Sequence, residues 1–182
     1  MKLKKLAKKI YEVSHLTGEF TLRSGQVSNE YFDKYQFECR PEILKKIAKA
    51  MKKMIPEGTE ILAGLEMGGI PLATALSFET GLPTVLVRKE AKEYGTAKLA
   101  EGPSIEGKKL CLIEDVITTG GQVAESTEDL RKLGAKVDDV LCVIYRGQNE
   151  GKEPKLESLG LNVQWLLDKK QFDEWFAPEL KK

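Results

Sequence analysis

Two adjacent carboxylates, Glu114 and Asp115, follow the apolar run 110–113, which predicts a buried strand. Residues 116–121 (VITTGG) then form a turn rich in glycine and hydroxyl groups, and residues 122–132 have the pattern of a helix. Backbone N–H groups at a helix N-terminus bind phosphate, helped by the helix dipole. A pair of carboxylates can accept hydrogen bonds from a vicinal diol, such as the 2′- and 3′-hydroxyls of a ribose. The sequence therefore predicts a site for a phosphorylated sugar.

Length and charge exclude several classes of protein. The chain has 182 residues, with 29 Lys and Arg against 28 Asp and Glu, so we expect one domain and no overall attraction to nucleic acid or membrane surfaces. An anionic substrate must therefore be bound by a local cluster of charges. No apolar run reaches the length of a membrane span, and the lysine-rich start is not followed by the apolar segment of a secretory signal.

Cysteine and histidine usage narrows the chemistry further. Cys39, Cys111 and Cys142 are odd in number and widely spaced, which indicates the thiols of a reduced, cytoplasmic protein and neither a disulfide framework nor a zinc site. His15 is the only histidine, which excludes a multi-histidine metal centre. We expect His15 to end the first helix and to have no catalytic role.

Short apolar strands alternate with amphipathic helices along most of the chain, which is typical of an α/β protein with a mainly parallel sheet flanked by helices. Ligands of such sheets bind at the carboxyl ends of the strands. Between residues 20 and 37 the segments are shorter and partly alternating, which predicts a small antiparallel element. The predicted strands are 60–64, 84–88, 109–114, 140–145 and 163–167, and the predicted helices are 3–16, 41–54, 70–80, 122–132 and 169–176.

The connection 89–107 is long for a link between two strands, and such loops are commonly functional lids or disordered segments. It follows Arg88 and contains Lys89, Lys92 and Lys98. Taken alone, the segment favours a solvated surface loop. Next to a site for a phosphorylated sugar, a basic lid that closes over a phosphate leaving group becomes the better interpretation.

Several segments, in order, resemble the orotate phosphoribosyltransferases, a branch of the type I phosphoribosyltransferases. The resemblance covers about residues 18–146. Its parts are GEFTLRSG at 18–25 with Ser28, Tyr31 and Phe32, GLEMGGIP at 64–71, RKEAKEYG at 88–95, and the motif at 110–121. It implies the type I phosphoribosyltransferase fold, an α/β fold with a mainly parallel central sheet, a small N-terminal hood at about 18–38 and a mobile lid at about 89–107.

The resemblance implies that the substrates are 5-phosphoribosyl 1-pyrophosphate (PRPP) and orotate. Glu114 and Asp115 would accept the ribose hydroxyls. Arg88 and the lid lysines Lys89 and Lys92 would neutralise the departing pyrophosphate, and together with Asp115 they are the implied catalytic residues. The 5′-phosphate would lie on the hydroxyl and N–H donors of the turn, Thr118, Thr119, Gly120 and Gly121.

For orotate, the resemblance implies binding of its carboxylate by Arg23 of the hood and by Arg146. Tyr31 and Phe32 of the hood and Tyr94 of the lid complete the implied substrate contacts. The chain departs from the family pattern at three positions, since Arg23 and Gly68 stand where lysine is common and Tyr94 stands where histidine is usual.

The resemblance also implies Mg²⁺ held mainly by PRPP and water, a homodimer whose lid reaches the neighbouring active site, and a place in pyrimidine (UMP) biosynthesis. Two alternatives remain open. The protein could be another type I phosphoribosyltransferase that acts on a purine or on uracil. It could also be a regulator that binds PRPP without turnover.

Overall fold

The computed structural model describes residues 3–21, 25–90 and 99–176. Five strands of its main sheet are parallel to their neighbours, and a sixth, two-residue strand is antiparallel at one edge. The strands are β3 (Ile61–Leu65), β4 (Thr84–Val87), β5 (Ala100–Glu101), β6 (Lys109–Ile117), β7 (Lys136–Tyr145) and β8 (Asn162–Asp168). Their order across the sheet is β5-β4-β3-β6-β7-β8. The prediction of an α/β protein with a mainly parallel sheet is confirmed.

Helices cover both faces of this sheet. The helices are α1 (Leu3–Ser14), α2 (Tyr35–Glu38), α3 (Pro41–Met51) with a 3₁₀ turn at Lys52–Met54, α4 (Gly69–Thr80), α5 (Gly121–Lys132), α6 (Pro154–Ser158) and α7 (Lys169–Phe176). Apolar residues of α1, α3, α4 and α7 fill the core on one face, and those of α5 and α6 fill the core on the other. Within the described ranges, no helix is long and apolar enough to cross a bilayer.

Strands β6 and β7 extend several residues beyond their predicted bounds, and the extension of β6 concerns the site. The strand expected at 109–114 continues to Ile117, because Val116 and Ile117 pair with β7. Asp115 therefore lies inside β6, as Glu114 does, and not after it. The strand expected at 140–145 begins at Lys136, since its first residues pair with the start of β6 despite their polar side chains.

The segment between α1 and α2 forms a hairpin, as the shorter alternating segments predicted. Strand β1 (His15–Thr21) pairs antiparallel with β2 (Val27–Phe32), so His15 begins a strand directly after the helix that ends at Ser14. The ring of Phe32 lies 6.0 Å from that of Phe172, in an edge-to-face arrangement. This contact holds the hairpin, the expected hood, against α7.

The connection after β4 is only partly a free loop. Residues 100–101 form β5 on β4, and a Cβ at Gly102 would lie 2.9 Å from the carbonyl oxygen of Thr84. The expected lid at 89–107 is therefore too long at its carboxyl end, because residues from 100 onward are bonded to the sheet or packed on it. The possible lid is confined to the residues before this edge strand, and most of those, 91–98, lie outside the described ranges.

Helix α4 begins in direct contact with the backbone of β6. A Cβ on Gly69 would lie 2.1 Å from the carbonyl oxygen of Ile113, and one on Gly64 would lie 2.8 Å from the carbonyl oxygen of Gly69. Real Cβ contacts are essentially never this short, so the approach requires glycine at both positions. The close packing fixes the loop before α4 beside the carboxylates of β6.

We expect Gly69→Ala to lower the free energy of unfolding by about 2 kcal/mol, because the methyl group must displace α4 from β6. Gly121→Ala is the matched control. Gly121 also opens a helix that follows a parallel strand, and an added Cβ there would have its nearest neighbour at 3.9 Å. Urea unfolding should show a change within about 0.5 kcal/mol for the control. Equal effects of the two substitutions would contradict the close packing of α4.

Candidate active site

The two carboxylates lie at the carboxyl edge of the sheet, where β6 is flanked by β3 and β7. Glu114 is 7% exposed and the side chain of Asp115 is fully buried. The backbone N–H of Asp115 donates a hydrogen bond of 2.8 Å to Glu114 Oε1. The N–H of Val116 donates one of 2.5 Å to Asp115 Oδ1. The strand itself therefore orients both side chains.

A lysine from the hood side completes the environment of Asp115. Lys34 precedes α2, and its Nζ lies 2.5 Å from Asp115 Oδ2. The side chain of Lys34 is 34% exposed, so the ion pair joins the buried carboxylate to the surface of the site. Asp115 Oδ1 thus accepts a backbone N–H, whereas Oδ2 makes no hydrogen bond of good geometry and is partnered by the charge of Lys34.

Glu38, at the end of α2, adds a third carboxyl group. It is 4% exposed, and its Oε1 is a buried atom that accepts no hydrogen bond. A Cβ placed on Gly68 would lie 1.7 Å from Asp115 Oδ2 and 2.8 Å from Glu38 Oε1. Both oxygens therefore border the same small space, which exists because residue 68 has no side chain.

Burial and mutual contacts shift the pKa values of the three carboxyl groups in different directions. Burial raises the pKa of Glu38 to about 8, and its hydrogen bond to Asp115 adds to the effect. Burial, with a hydrogen bond to Asp115, also raises the pKa of Glu114 well above its usual range. Burial opposes ionisation of Asp115 too, but hydrogen bonds from Glu114, Glu38 and Lys34 outweigh it and lower its pKa. At neutral pH, Asp115 is the ionised member.

Lys34 keeps its charge in this setting. Partial burial alone would lower its pKa, but the hydrogen bond to Asp115 and the charges of Asp115 and Glu114 raise it above the ordinary value. Asp115 is thus the carboxyl group of the cluster whose ionisation is favoured, and it faces the ammonium group of Lys34.

The turn after β6 exposes the donors expected of a phosphate site. Thr118 and Thr119 are exposed, and Gly120 caps helix α5 with a φ of 73°, in the left-handed region. A Cβ on Gly120 would also lie 2.6 Å from Leu156 Cδ1, so this position requires glycine for two reasons. Gly121 begins α5, whose first N–H groups have no partner within the helix.

Arg146 and the hood aromatic Phe32 meet at a second part of the site. Both line a cavity of about 260 Å³ with Tyr11, His15 and Phe172. The N–H of Arg146 donates a 2.8 Å hydrogen bond to the carbonyl oxygen of Ile117, so this cavity adjoins the end of β6. Tyr31 is 43% exposed and its ring lies 5.5 Å from that of Phe20 on the hairpin.

The basic residues after β4 point to other partners. Arg88 Nε lies 3.4 Å from Glu101 Oε1 on the edge strand. Lys89 is exposed, and its backbone N–H donates to Glu66 Oε1 at 2.7 Å. The structure therefore does not bring Arg88 and Lys89 into contact with Asp115. Arg23, Lys92 and Tyr94 lie outside the described residues.

A cavity of about 780 Å³ lies between the start and end of the 89–107 connection and the carboxyl end of α5. It shares no lining residue with the carboxylates or with the turn at 118–121. Its walls are mostly apolar and do not match a phosphorylated sugar. The candidate site is therefore the smaller, charged region at the carboxyl edge of β6.

Lys34 and Glu38 were missed in the sequence. They are four residues apart, a spacing that places two side chains on one face of a helix. The helix that ends in Glu38 has only four residues and begins after Lys34, so no periodic pattern marks it. Their role depends on a contact with Asp115 across more than 70 residues of chain, which local spacing does not reveal.

Comparisons with known proteins identify the family to which the chain belongs. The family model described as "Phosphoribosyl transferase domain" matches residues 35–174. An orotate phosphoribosyltransferase of a Nocardioides species is 53% identical over 168 residues, which is 92% of this chain and 93% of that protein. One from Methanocella arvoryzae is 45% identical over 82% of this chain and 85% of its own.

Solved structures give the same result. The orotate phosphoribosyltransferase of Mycobacterium tuberculosis superposes with a TM-score of 0.80 at 27% identity, covering 92% of this chain and 97% of that one. A structure of the same enzyme in complex with PRPP gives a TM-score of 0.75 at 25% identity, with coverage of 91% and 95%. The type I phosphoribosyltransferase fold implied by the sequence is therefore confirmed. With the site geometry and the two close relatives, this shows that the chain belongs to the orotate phosphoribosyltransferase family.

Proposed function

We propose that this protein transfers the 5-phosphoribosyl group of PRPP to N1 of orotate, giving orotidine 5′-monophosphate and pyrophosphate for UMP synthesis. The observation that carries the proposal is the buried, ionised Asp115 beside Glu114, directly before a glycine turn at a helix N-terminus. Carboxyl groups that can hold the ribose hydroxyls lie there next to amides that can hold its phosphate. The family relationship supports the same reaction and substrates.

The transferred group would be held at two ends. The ribose hydroxyls donate hydrogen bonds to Asp115 and Glu114, and the 5′-phosphate accepts hydrogen bonds from the donors at Thr118, Thr119, Gly120 and Gly121. With the sugar held in this way, the bond from its anomeric carbon to pyrophosphate breaks and the bond to N1 of orotate forms, through a transition state with oxocarbenium character. Positioning and electrostatic stabilisation provide the rate enhancement, and no covalent nucleophile of the protein is needed.

Orotate would occupy the cavity between the hood and the end of β7. Arg146 lines this cavity beside Phe32 and can pair with the carboxylate of orotate through its planar guanidinium group. Arg23 and Tyr31 of the hood are proposed as further contacts of the base. A cavity of about 260 Å³ is of a size that suits a single pyrimidine ring with its carboxylate.

The leaving pyrophosphate would be bound by the basic residues after β4. Arg88, Lys89, Lys92 and Tyr94 are proposed to close over it, with the possible lid now confined to the residues before β5. In a homodimer these residues would serve the site of the neighbouring subunit. This arrangement fits the engagement of Arg88 by Glu101 within the subunit, away from Asp115.

Mg²⁺ would enter with PRPP. Asp115 is already paired with Lys34, and burial favours the uncharged forms of Glu38 and Glu114, so these side chains are poor ligands for a free cation. Among the described residues, no group of three or more His, Cys, Asp or Glu side chains is arranged to hold a metal. Phosphate oxygens and water would be the ligands of the ion, which would supply positive charge to the departing pyrophosphate. The three free cysteines suit the cytoplasm, where we place the enzyme.

A base panel separates this function from its alternatives. Purified protein with PRPP and Mg²⁺ should consume orotate, which is measured as the loss of orotate absorbance. It should leave uracil, adenine, hypoxanthine, guanine and xanthine unchanged. Turnover of a purine or of uracil in place of orotate would contradict the assignment of the base cavity. Binding of PRPP without turnover of any base would favour the regulator.

Asp115→Asn should weaken PRPP binding by about tenfold or more. The change removes the charged carboxylate that accepts hydrogen bonds from the ribose hydroxyls, and it leaves Lys34 without its ionic partner. Titration calorimetry measures the dissociation constant, and the orotate assay measures kcat/KM. Asp138→Asn, on the exposed side of β7, is the control and should leave both unchanged. Unaltered affinity and turnover in Asp115→Asn would refute the ribose role.

Glu38→Gln should flatten the pH dependence of stability. The folded protein keeps a proton on Glu38 up to a pKa of about 8, whereas the unfolded chain releases it near 4.5. Between these values the unfolded state binds fewer protons, so stability falls as pH rises. Glutamine cannot ionise but still offers an N–H donor to Asp115.

Urea unfolding of both proteins should be compared at about pH 5 and about pH 8.5. We expect the wild type to lose on the order of 2 kcal/mol more than the variant between these two pH values. Equal losses would show that Glu38 does not carry a shifted proton in the folded protein.

A further inference from the structure

Lys34 lies in the short connection between the hood hairpin and α2, in contact with the carboxylate expected to hold the ribose. Its Nζ is 2.5 Å from Asp115 Oδ2, and it lies 5.3 Å from the centre of the Tyr35 ring. The side chain of Asp115 is fully buried, so this cation is its link to the open part of the site. Lys34 lies outside the sequence motif at 110–121, so that motif does not predict its contact with Asp115.

Negative charge on the carboxyl cluster would repel the phosphate groups of PRPP unless a cation or a proton neutralises it. Three carboxyl groups, those of Glu38, Glu114 and Asp115, lie together at the carboxyl edge of β6, and the proposed ligand has a phosphate and a pyrophosphate. Negative charge beside negative charge in a partly buried site is strongly unfavourable. The ammonium group of Lys34, whose Nζ lies 2.5 Å from Asp115 Oδ2, offsets the charge of this buried carboxylate.

The geometry also fixes the orientation of Asp115. Its Oδ1 accepts the N–H of Val116, and its Oδ2 is held by Lys34, so rotation of the carboxylate would break one contact or the other. An ionised carboxylate has about four acceptor positions, so Asp115 can accept hydrogen bonds from more groups than the Val116 N–H and Lys34. Gly68 leaves the space in which Oδ2 lies, since a Cβ there would be 1.7 Å away.

We propose that Lys34 is a positioning residue for PRPP: it orients Asp115 and offsets its charge, so that a phosphorylated ribose can bind beside three carboxyl groups. This inference rests on the proposed function, because it takes PRPP as the ligand. Lys34 acts through Asp115 and has no assigned contact with the substrate. Its effect should therefore fall on PRPP binding and not on orotate binding.

The test compares Lys34→Met and Lys34→Arg with the control Lys49→Met, a change of an exposed lysine on α3. Calorimetry with PRPP and Mg²⁺, without base, gives the dissociation constant. Steady-state assays then give kcat and the KM values for PRPP and orotate. We expect Lys34→Met to raise the PRPP dissociation constant by about tenfold or more and to change the orotate KM by less than about twofold.

Lys34→Arg keeps the charge and should recover most of the PRPP affinity, which a purely structural role of the methylene chain would not explain. The control should bind PRPP like the wild type. Circular dichroism and thermal unfolding establish that each variant is folded. Should Lys34→Met fail to fold, Lys34→Gln replaces it, since glutamine keeps a hydrogen-bond donor to Asp115 and removes only the charge.

A folded, uncharged variant that binds PRPP within about twofold of the wild type would overturn the inference, as would an arginine variant as weak as the uncharged one. The calorimetry separates this failure from failure of the proposed function. If the wild type binds PRPP and turns over no base, the reaction is wrong and the Lys34 test still stands. If the wild type binds no PRPP, the proposed function itself fails.

Discussion

The buried carboxylate of Asp115 is the constraint on which the rest of the site depends. A charge with none of its side chain exposed is tolerated only when it is paired and hydrogen-bonded. Here the strand supplies an N–H from Val116, the hood connection supplies Lys34, and neighbouring carboxyl groups supply protons. Two parts of the chain that are distant in sequence, residues 34–38 and residues 114–116, are therefore held together at the point where the ribose is expected to bind.

The backbone around this carboxylate has little freedom to change. Gly69 lets α4 touch the backbone of β6, and Gly68 leaves the space that Asp115 Oδ2 occupies. Gly120 then turns the chain from β6 into α5, with a left-handed φ and with Leu156 against it. Each of these glycines is required by a close approach of two segments. The turn proposed to bind the phosphate and the carboxylates proposed to bind the ribose are consequently set at a fixed distance by the sheet and not by flexible loops.

The elements that carry strong local patterns could be predicted from the sequence. Apolar strands followed by amphipathic helices indicated the mainly parallel sheet, and the motif at 110–121 indicated its ligand-binding edge. The pattern failed where pairing across the sheet decides the structure, as at the ends of β6 and at β5. It also failed for Lys34 and Glu38, because their partner is Asp115 and the four-residue α2 has no periodicity to display.

The central claim is that PRPP binds at the carboxyl edge of β6, and amide hydrogen exchange tests it at the groups concerned. Exchange should be followed with and without PRPP and Mg²⁺, using peptides that resolve the turn at 118–121 and the first turn of α5. The account predicts that PRPP slows exchange at these amides, since they donate to its 5′-phosphate. Unchanged exchange at these amides, with protection instead at residues 99–106 and 129–133 around the cavity of about 780 Å³, would contradict the claim.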